Sequence, residues 1–142
     1  MTNLPELTSA PALQWLAFVC AWTGLMWIPY IVNRVQELGP PDFRWFPEPD
    51  PAPKAAWAGR AVRAHFNALE NLAIFAPLVL AAQWLAPASA TVLWAAQLYA
   101  GARVAHAMIC WIGAPIIWRT LSFLAGVVAQ MMLVGVIFTQ AA

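Results

Sequence analysis

Charge is the scarcest feature of this 142-residue chain: Asp, Glu, Lys and Arg together make up 9%, against 63% hydrophobic residues. A soluble domain carries roughly 25% charged residues and about half apolar ones. The shortage excludes a soluble globule, and a mean hydropathy of +0.68 agrees. Seven basic residues nearly balance six acidic ones, leaving a formal net charge of +1, so there is no basic face for nucleic acid. Only two cysteines occur, Cys20 and Cys110, both in or beside apolar runs, which excludes a disulfide framework. The clustered set of Cys or His that a zinc site needs is not suggested, so no metal is expected. The N-terminal "MTNLPELTSAPALQ" lacks the positive stretch that opens a signal peptide. The apolar run behind it is long enough to span a membrane, so it is read as a mature helix. What remains is a single membrane domain over 1–142.

What the chain has in abundance is apolar runs, nine Trp and twelve Pro. A spanning helix needs about 20 mostly apolar residues. Four such spans are expected, over 13–33, 62–85, 88–112 and 116–139, making an all-α, up-down four-helix transmembrane bundle. The apolar run 72–85 is too short alone, so the second span must begin in the polar stretch near Arg63. Pro87 is expected at the start of the third span, and Pro29 and Pro77 are expected to kink theirs. Two connections are short, "LAPAS" and "IGAP". The third, over 34–60, is long and proline-rich, and reads either as a stiff cap over a site or as a solvated connector.

Arg34, Arg44, Lys54, Arg60 and Arg63 lie in or beside the long connection, and Arg119 follows the last one. This bias predicts that both basic connections are cytoplasmic and both termini lie on the far side, as in a multi-pass protein of a bacterial inner membrane. Trp15 and Trp84 fit an outer aromatic belt; Trp27, Trp57, Trp111 and Trp118 fit an inner one.

The rare polar residues fall at one set of helix ends. Arg34 closes the first span. Arg60, Arg63, His65, Asn67, Glu70 and Asn71 open the second, Arg103 and His106 lie late in the third, and Arg119 opens the fourth. At about 100° per residue, Arg63, Asn67, Glu70 and Ile74 share one stripe, and His65 points away from it. Tyr99, Arg103, His106 and Cys110 share another, as do Arg119, Ser122, Gly126 and Gln130. Lipid offers such seams no partners, so they face the bundle interior, a subunit contact or a wet cavity. A charged residue within a span costs roughly 2.5–3.5 kcal/mol on insertion scales. Glu70 can answer one arginine; the others remain in excess, which describes an anion site. Structural readings stand beside this one. Arg34, Arg60 and Arg119 also serve as topology signals, Glu70 can pair with Arg63 or Arg103, and His106 can be a satisfied interior histidine. His65 can reach the interface, and Gln130 can bridge helices between subunits.

Two segments carry a resemblance. "RAVRAHFNALENLAIFAPL", with Arg63, His65, Asn67, Glu70 and Asn71, resembles the second-helix signature of the MAPEG family (membrane-associated proteins in eicosanoid and glutathione metabolism). "GARVAHAMICWIGAPIIWRTLSFLAG" is similar to the microsomal glutathione transferase branch, through Gly101, Ala102, Arg103, His106, Arg119, Leu121, Ser122 and Phe123. The resemblance implies a homotrimer with glutathione as co-substrate, held at the cytoplasmic side between subunits. It implies conjugation of the thiol to lipophilic electrophiles, or reduction of lipid hydroperoxides. Arg34, Arg63, His65, Asn67, Glu70, Arg103, His106 and Cys110 would line the glutathione seat, and Arg119 would stabilise the thiolate. Two positions depart from the pattern: Val62 stands where some members have a second Arg, and Cys110 stands where the transferases have a Tyr.

The chemistry suits these residues. Arginines grip the two glutathione carboxylates, Glu70 accepts from the amine, and Arg119 at a helix N-terminus favours the thiolate. Lipophilic substrates arrive from the bilayer. The alternative is a non-enzymatic trimeric scaffold that binds an anionic lipid headgroup in the same cluster. A transporter is disfavoured by short-looped spans without inverted repeats.

Overall fold

The computed structural model describes residues 10–42, 45 and 51–140. Arg44, counted above with the long connection, lies outside them. Five α-helices follow in chain order: α1 (Pro11–Leu25), α2 (Trp27–Leu38), α3 (Ala56–Leu85), α4 (Ala90–Ile112) and α5 (Ile116–Gln140). No strand occurs among the described residues.

α1 and α2 are one apolar rod interrupted at Met26. Pro29 has no N–H, so the Leu25 carbonyl loses its partner four residues on. The chain tightens there, and the Met26 N–H donates to the Thr23 carbonyl at 3.2 Å. Pro77, by contrast, lies within α3 without ending it. By length and composition, Pro11–Leu38, Ala56–Leu85 and Ile116–Gln140 can each cross a membrane.

α4 is the fourth rod. Its 23 residues extend about 35 Å, enough to cross the roughly 30 Å hydrocarbon core. It is the most enclosed of the helices. It packs against α1, α3 and α5, and Tyr99, Arg103, His106 and Cys110 are all buried. Alanines at 95, 96, 100, 102 and 107 let neighbouring backbones approach closely. At the centre the Phe75 and Tyr99 rings stack with centroids 3.7 Å apart, among Val19, Val79, Val92 and Leu133. The outside is as apolar as the inside: Trp84 is 86% exposed, and Phe138, Ile112 and Ile116 are nearly as bare. Such surfaces belong in lipid, and the fold is an all-α membrane bundle.

Two helix starts differ from the sequence expectation. α4 begins at Ala90, behind Ser89, and Pro87 stays in the preceding turn, where its carbonyl accepts from Gln83 Nε2 at 3.0 Å. α3 begins at Ala56, well before 62, and extends about 45 Å, so its first turns project beyond the hydrocarbon.

The end of α2 holds the start of α3. The Glu37 carboxylate accepts from Asn33 Nδ2 at 2.7 Å on its own helix, and from the Lys54 and Ala55 amides at 3.0 and 3.1 Å. A carboxylate at a helix N-terminus satisfies donors the helix cannot. Arg34 donates to the Trp45 carbonyl and lies 5.6 Å from that ring, and Trp45 Nε1 donates to the Pro40 carbonyl at 3.0 Å. Glu37→Gln, which keeps the shape and removes the charge, is expected to speed hydrogen exchange at the Lys54 and Ala55 amides while leaving α4 amides unchanged. Equal exchange at those two positions would show that the carboxylate does not cap the helix.

Candidate functional site

The α3 stripe faces a cleft of about 350 Å³ at the end of the bundle where α3 begins, α4 ends and α5 begins. It is lined by Arg60, Arg63, Asn67 and Glu70 from α3, Cys110 from α4 and Arg119 from α5. Small-molecule sites run from roughly 300 to 1,000 Å³, so it admits a compact ligand. Residues far apart in the chain meet there because the connection between α4 and α5 is so tight. Gly113 takes φ of 74°, and its N–H and that of Ala114 bond back to the Cys110 and Ile109 carbonyls, both at 3.1 Å. This closing turn needs a left-handed residue, which glycine supplies without strain.

Arg60 completes the turn. Its Nε donates to the Cys110 carbonyl and its Nη2 to the Trp111 carbonyl, each at 3.0 Å. A guanidinium on the last carbonyls of a helix satisfies orphan acceptors and opposes the negative helix end. A Cβ on Gly113 would lie 3.0 Å from Arg60 Cζ, so that position needs glycine twice over. Arg60 is not among the expected seat residues, although it belongs to the polar group that opens the second span and can also serve as a topology signal. The signal was present in the spacing, since 60, 63, 67 and 70 follow one helical stripe.

The remaining charges of the cleft are differently placed. Arg63, Glu70 and Arg119 are exposed. Among the described residues their side chains make no hydrogen bond or ion pair, so the Glu70 pairing with Arg63 or Arg103 weighed above is not formed. Two cations and one anion thus stand on one cleft, each available to a ligand.

Arg103 lies behind this rim, 3% exposed. Nη1 reaches Asn67 Oδ1 at 3.5 Å and Nη2 donates to the Phe123 carbonyl at 3.1 Å. Its guanidinium carbon is 5.1 Å from the Tyr99 ring centre and 5.3 Å from that of Phe123. Its Nε is buried without a partner among the described residues. Carbonyl dipoles and ring faces, not a carboxylate, hold this cation. Gly126 makes the room: a Cβ there would fall 2.8 Å from Arg103 Cζ and 2.9 Å from Nε. Lower in the same seam, Gln130 Nε2 donates to the Asn71 carbonyl at 3.3 Å, joining α5 to α3 within one chain.

His106 is buried between α4 and α5. Its Nδ1 lies 3.1 Å from the Arg119 carbonyl and 3.1 Å from Ser122 Oγ. The Ser122 hydroxyl in turn donates to that carbonyl at 3.0 Å. A carbonyl only accepts, so Nδ1 carries the proton and Nε2 is left as an acceptor. Cys110 Sγ lies 3.6 Å from Nε2 and is the donor to it.

His65 and Arg34 belong elsewhere in this subunit. His65 Nδ1 is 2.9 Å from the Tyr30 hydroxyl of α2. Arg34 lines a separate groove with Glu37, Trp45 and Lys54, which shares only Phe66 with the arginine cleft. Of the nine expected site residues, the cleft therefore collects Arg63, Asn67, Glu70, Cys110 and Arg119. Arg103 and His106 back it at one remove, and Arg34 and His65 face α2 and the long connection. No group of His, Cys, Asp and Glu among the described residues is arranged to hold a metal ion.

No curated protein and no solved structure matches the chain. Residues 12–139 match the MAPEG family, a stretch running from the first turn of α1 to the last turn of α5. A match over nearly the whole chain fixes the assignment, and this protein belongs to the MAPEG family.

Proposed function

We propose that the arginine cleft seats glutathione, and that the protein is a membrane glutathione transferase or peroxidase of lipophilic substrates. The observation that carries this reading is the set of Arg63, Glu70 and Arg119, drawn from two helices onto one cleft and unpaired among the described residues. Glutathione offers two carboxylates, one ammonium and a thiol. Arg63 suits a carboxylate in a two-point grip, and Glu70 suits the ammonium. Arg119, at the N-terminal end of α5, suits the sulfur as it becomes an anion. Electrophiles or hydroperoxides dissolved in the bilayer reach that sulfur along the apolar outer face.

A homotrimer with the site at the cytoplasmic side follows from the same reading. Arg34 and His65 lie on the other flank of α3 from Arg63 and Glu70. They take part in the seat only if a neighbouring subunit presents them. Arg103 and His106 act from behind, as a fixed positive charge and as the support of Cys110 and Arg119.

The rival is an anionic lipid headgroup in the same cleft. Thermal unfolding in neutral detergent separates them. Glutathione at about 100 times its dissociation constant is expected to stabilise the fold by about 2.7 kcal/mol. No rise with glutathione, together with a rise on adding phosphatidylglycerol, would overturn the enzyme reading in favour of the scaffold.

A further inference from the structure

The described residues hold two cysteines, and their settings differ. Cys20 is exposed on α1, on the apolar outside. Cys110 is 5% exposed, lines the arginine cleft and donates its thiol proton toward His106 Nε2 at 3.6 Å. The histidine is fixed in the accepting tautomer by the Arg119 carbonyl on its other nitrogen. A thiol with an adjacent base is the arrangement of an activated nucleophile. The main chain around the thiol is held as well, because Arg60 bonds the Cys110 and Trp111 carbonyls. Arg63 and Arg119 on the same cleft draw anions to it.

From this placement we infer that Cys110 is a site of reversible thiol–disulfide exchange with an anionic peptide disulfide, oxidised glutathione, which occupies the cleft and thereby closes it to the reduced thiol. The inference rests on the reading of the cleft as a glutathione seat. His106 Nε2 takes the proton from Cys110 Sγ. The sulfur attacks one sulfur of the disulfide, a new S–S bond forms to Cys110, and the old S–S bond breaks. The departing glutathione leaves as thiolate and recovers the proton from His106. One disulfide and one thiol become one disulfide and one thiol, so no external oxidant or reductant enters. The reverse reaction with reduced glutathione reopens the cleft. The ratio of oxidised to reduced glutathione then sets the fraction of cleft available for catalysis.

The test uses the full chain in detergent, reduced, then freed of reductant. It is exposed to oxidised glutathione or to the uncharged hydroxyethyl disulfide, and intact mass and peptide mapping follow the adducts. The expected result is one glutathione per chain on Cys110, formed about tenfold faster than the hydroxyethyl adduct once intrinsic reactivity is corrected with a free thiol. Arg63→Ala is expected to remove most of that preference, and reduced glutathione to reverse the adduct. Adducts on Cys20 with Cys110 untouched would overturn the inference, as would equal corrected rates for the two disulfides. Calorimetry with reduced glutathione on the same sample separates the layers. Glutathione binding without Cys110 modification defeats this inference alone. Absence of glutathione binding, with no charge preference at Cys110, defeats the seat as well.

Discussion

Arg119→Ala is expected to retain glutathione but lose its thiolate. An unperturbed thiol ionises near pH 8.5, so at pH 7 about 3% is anionic. Lowering that value by two units makes about three quarters anionic and takes roughly 3 kcal/mol of preferential stabilisation. A guanidinium at a helix N-terminus, lining the same cleft as the thiol, is of the right size for this. The substitution is a clean one. Arg119 is exposed, so no core is opened. Its main-chain carbonyl, which fixes His106, is unaffected by the change of side chain. The dissociation constant for glutathione should move little, because Arg63 and Glu70 still grip its charged ends. The ultraviolet absorbance of bound thiolate at neutral pH should fall by more than about tenfold, and turnover with it. A variant whose thiolate band matches that of the parent would remove Arg119 from the chemistry. A variant that no longer binds would make it a carboxylate clamp instead.

The second large effect is expected far from any ligand, at Gly126. A methyl group there occupies the place of the Arg103 guanidinium. Arg103 must then give up the Phe123 carbonyl and the Asn67 contact and find a new seat inside the bundle. A hydrogen bond to a charged group is worth about 1.5–3 kcal/mol, and overpacking costs about 1–3 kcal/mol. Gly126→Ala should therefore lower stability by roughly 3–5 kcal/mol, read as reversible unfolding in mixed micelles. A double-mutant cycle identifies the cause. In an Arg103→Met background the same Gly126→Ala change should cost about 1 kcal/mol or less, since a flexible thioether side chain yields where a bonded guanidinium does not. Equal costs in both backgrounds would mean that Gly126 matters for helix packing and not for the arginine.

Helical phase explains why much of this arrangement was legible in the sequence. Arg63, Asn67 and Glu70 lie on one face of any α-helix, and Tyr99, Arg103, His106 and Cys110 on another. Lipid forces such faces inward or onto a cavity, so the bundle and its polar end follow from composition and period together. What phase does not give is depth and partner. Arg103 and Arg119 are the same residue type on neighbouring helices, yet one is sealed against Phe123 and Gly126 and the other is open. That difference depends on how α4 and α5 cross, which no local pattern records. The role of Arg60 in closing the turn has no local signature, because its acceptors, the Cys110 and Trp111 carbonyls, exist only once α4 ends at Gly113. Glu37 carries no local signature for a similar reason, since its partners lie across a long proline-rich connection. Arg34 shows the converse. It falls at the same end of the bundle as the others, but α2 packs on a different flank of α3, and the single subunit keeps it apart.

Calorimetric titration of the purified protein with reduced glutathione, beside Arg63→Ala, tests most directly whether this cleft is a glutathione seat. A saturable isotherm is expected for the parent, weakened about tenfold or more in the variant, as loss of a two-point charged grip implies. Parent protein that gives no heat with glutathione, or binds it equally well without the Arg63 side chain, would contradict the assignment.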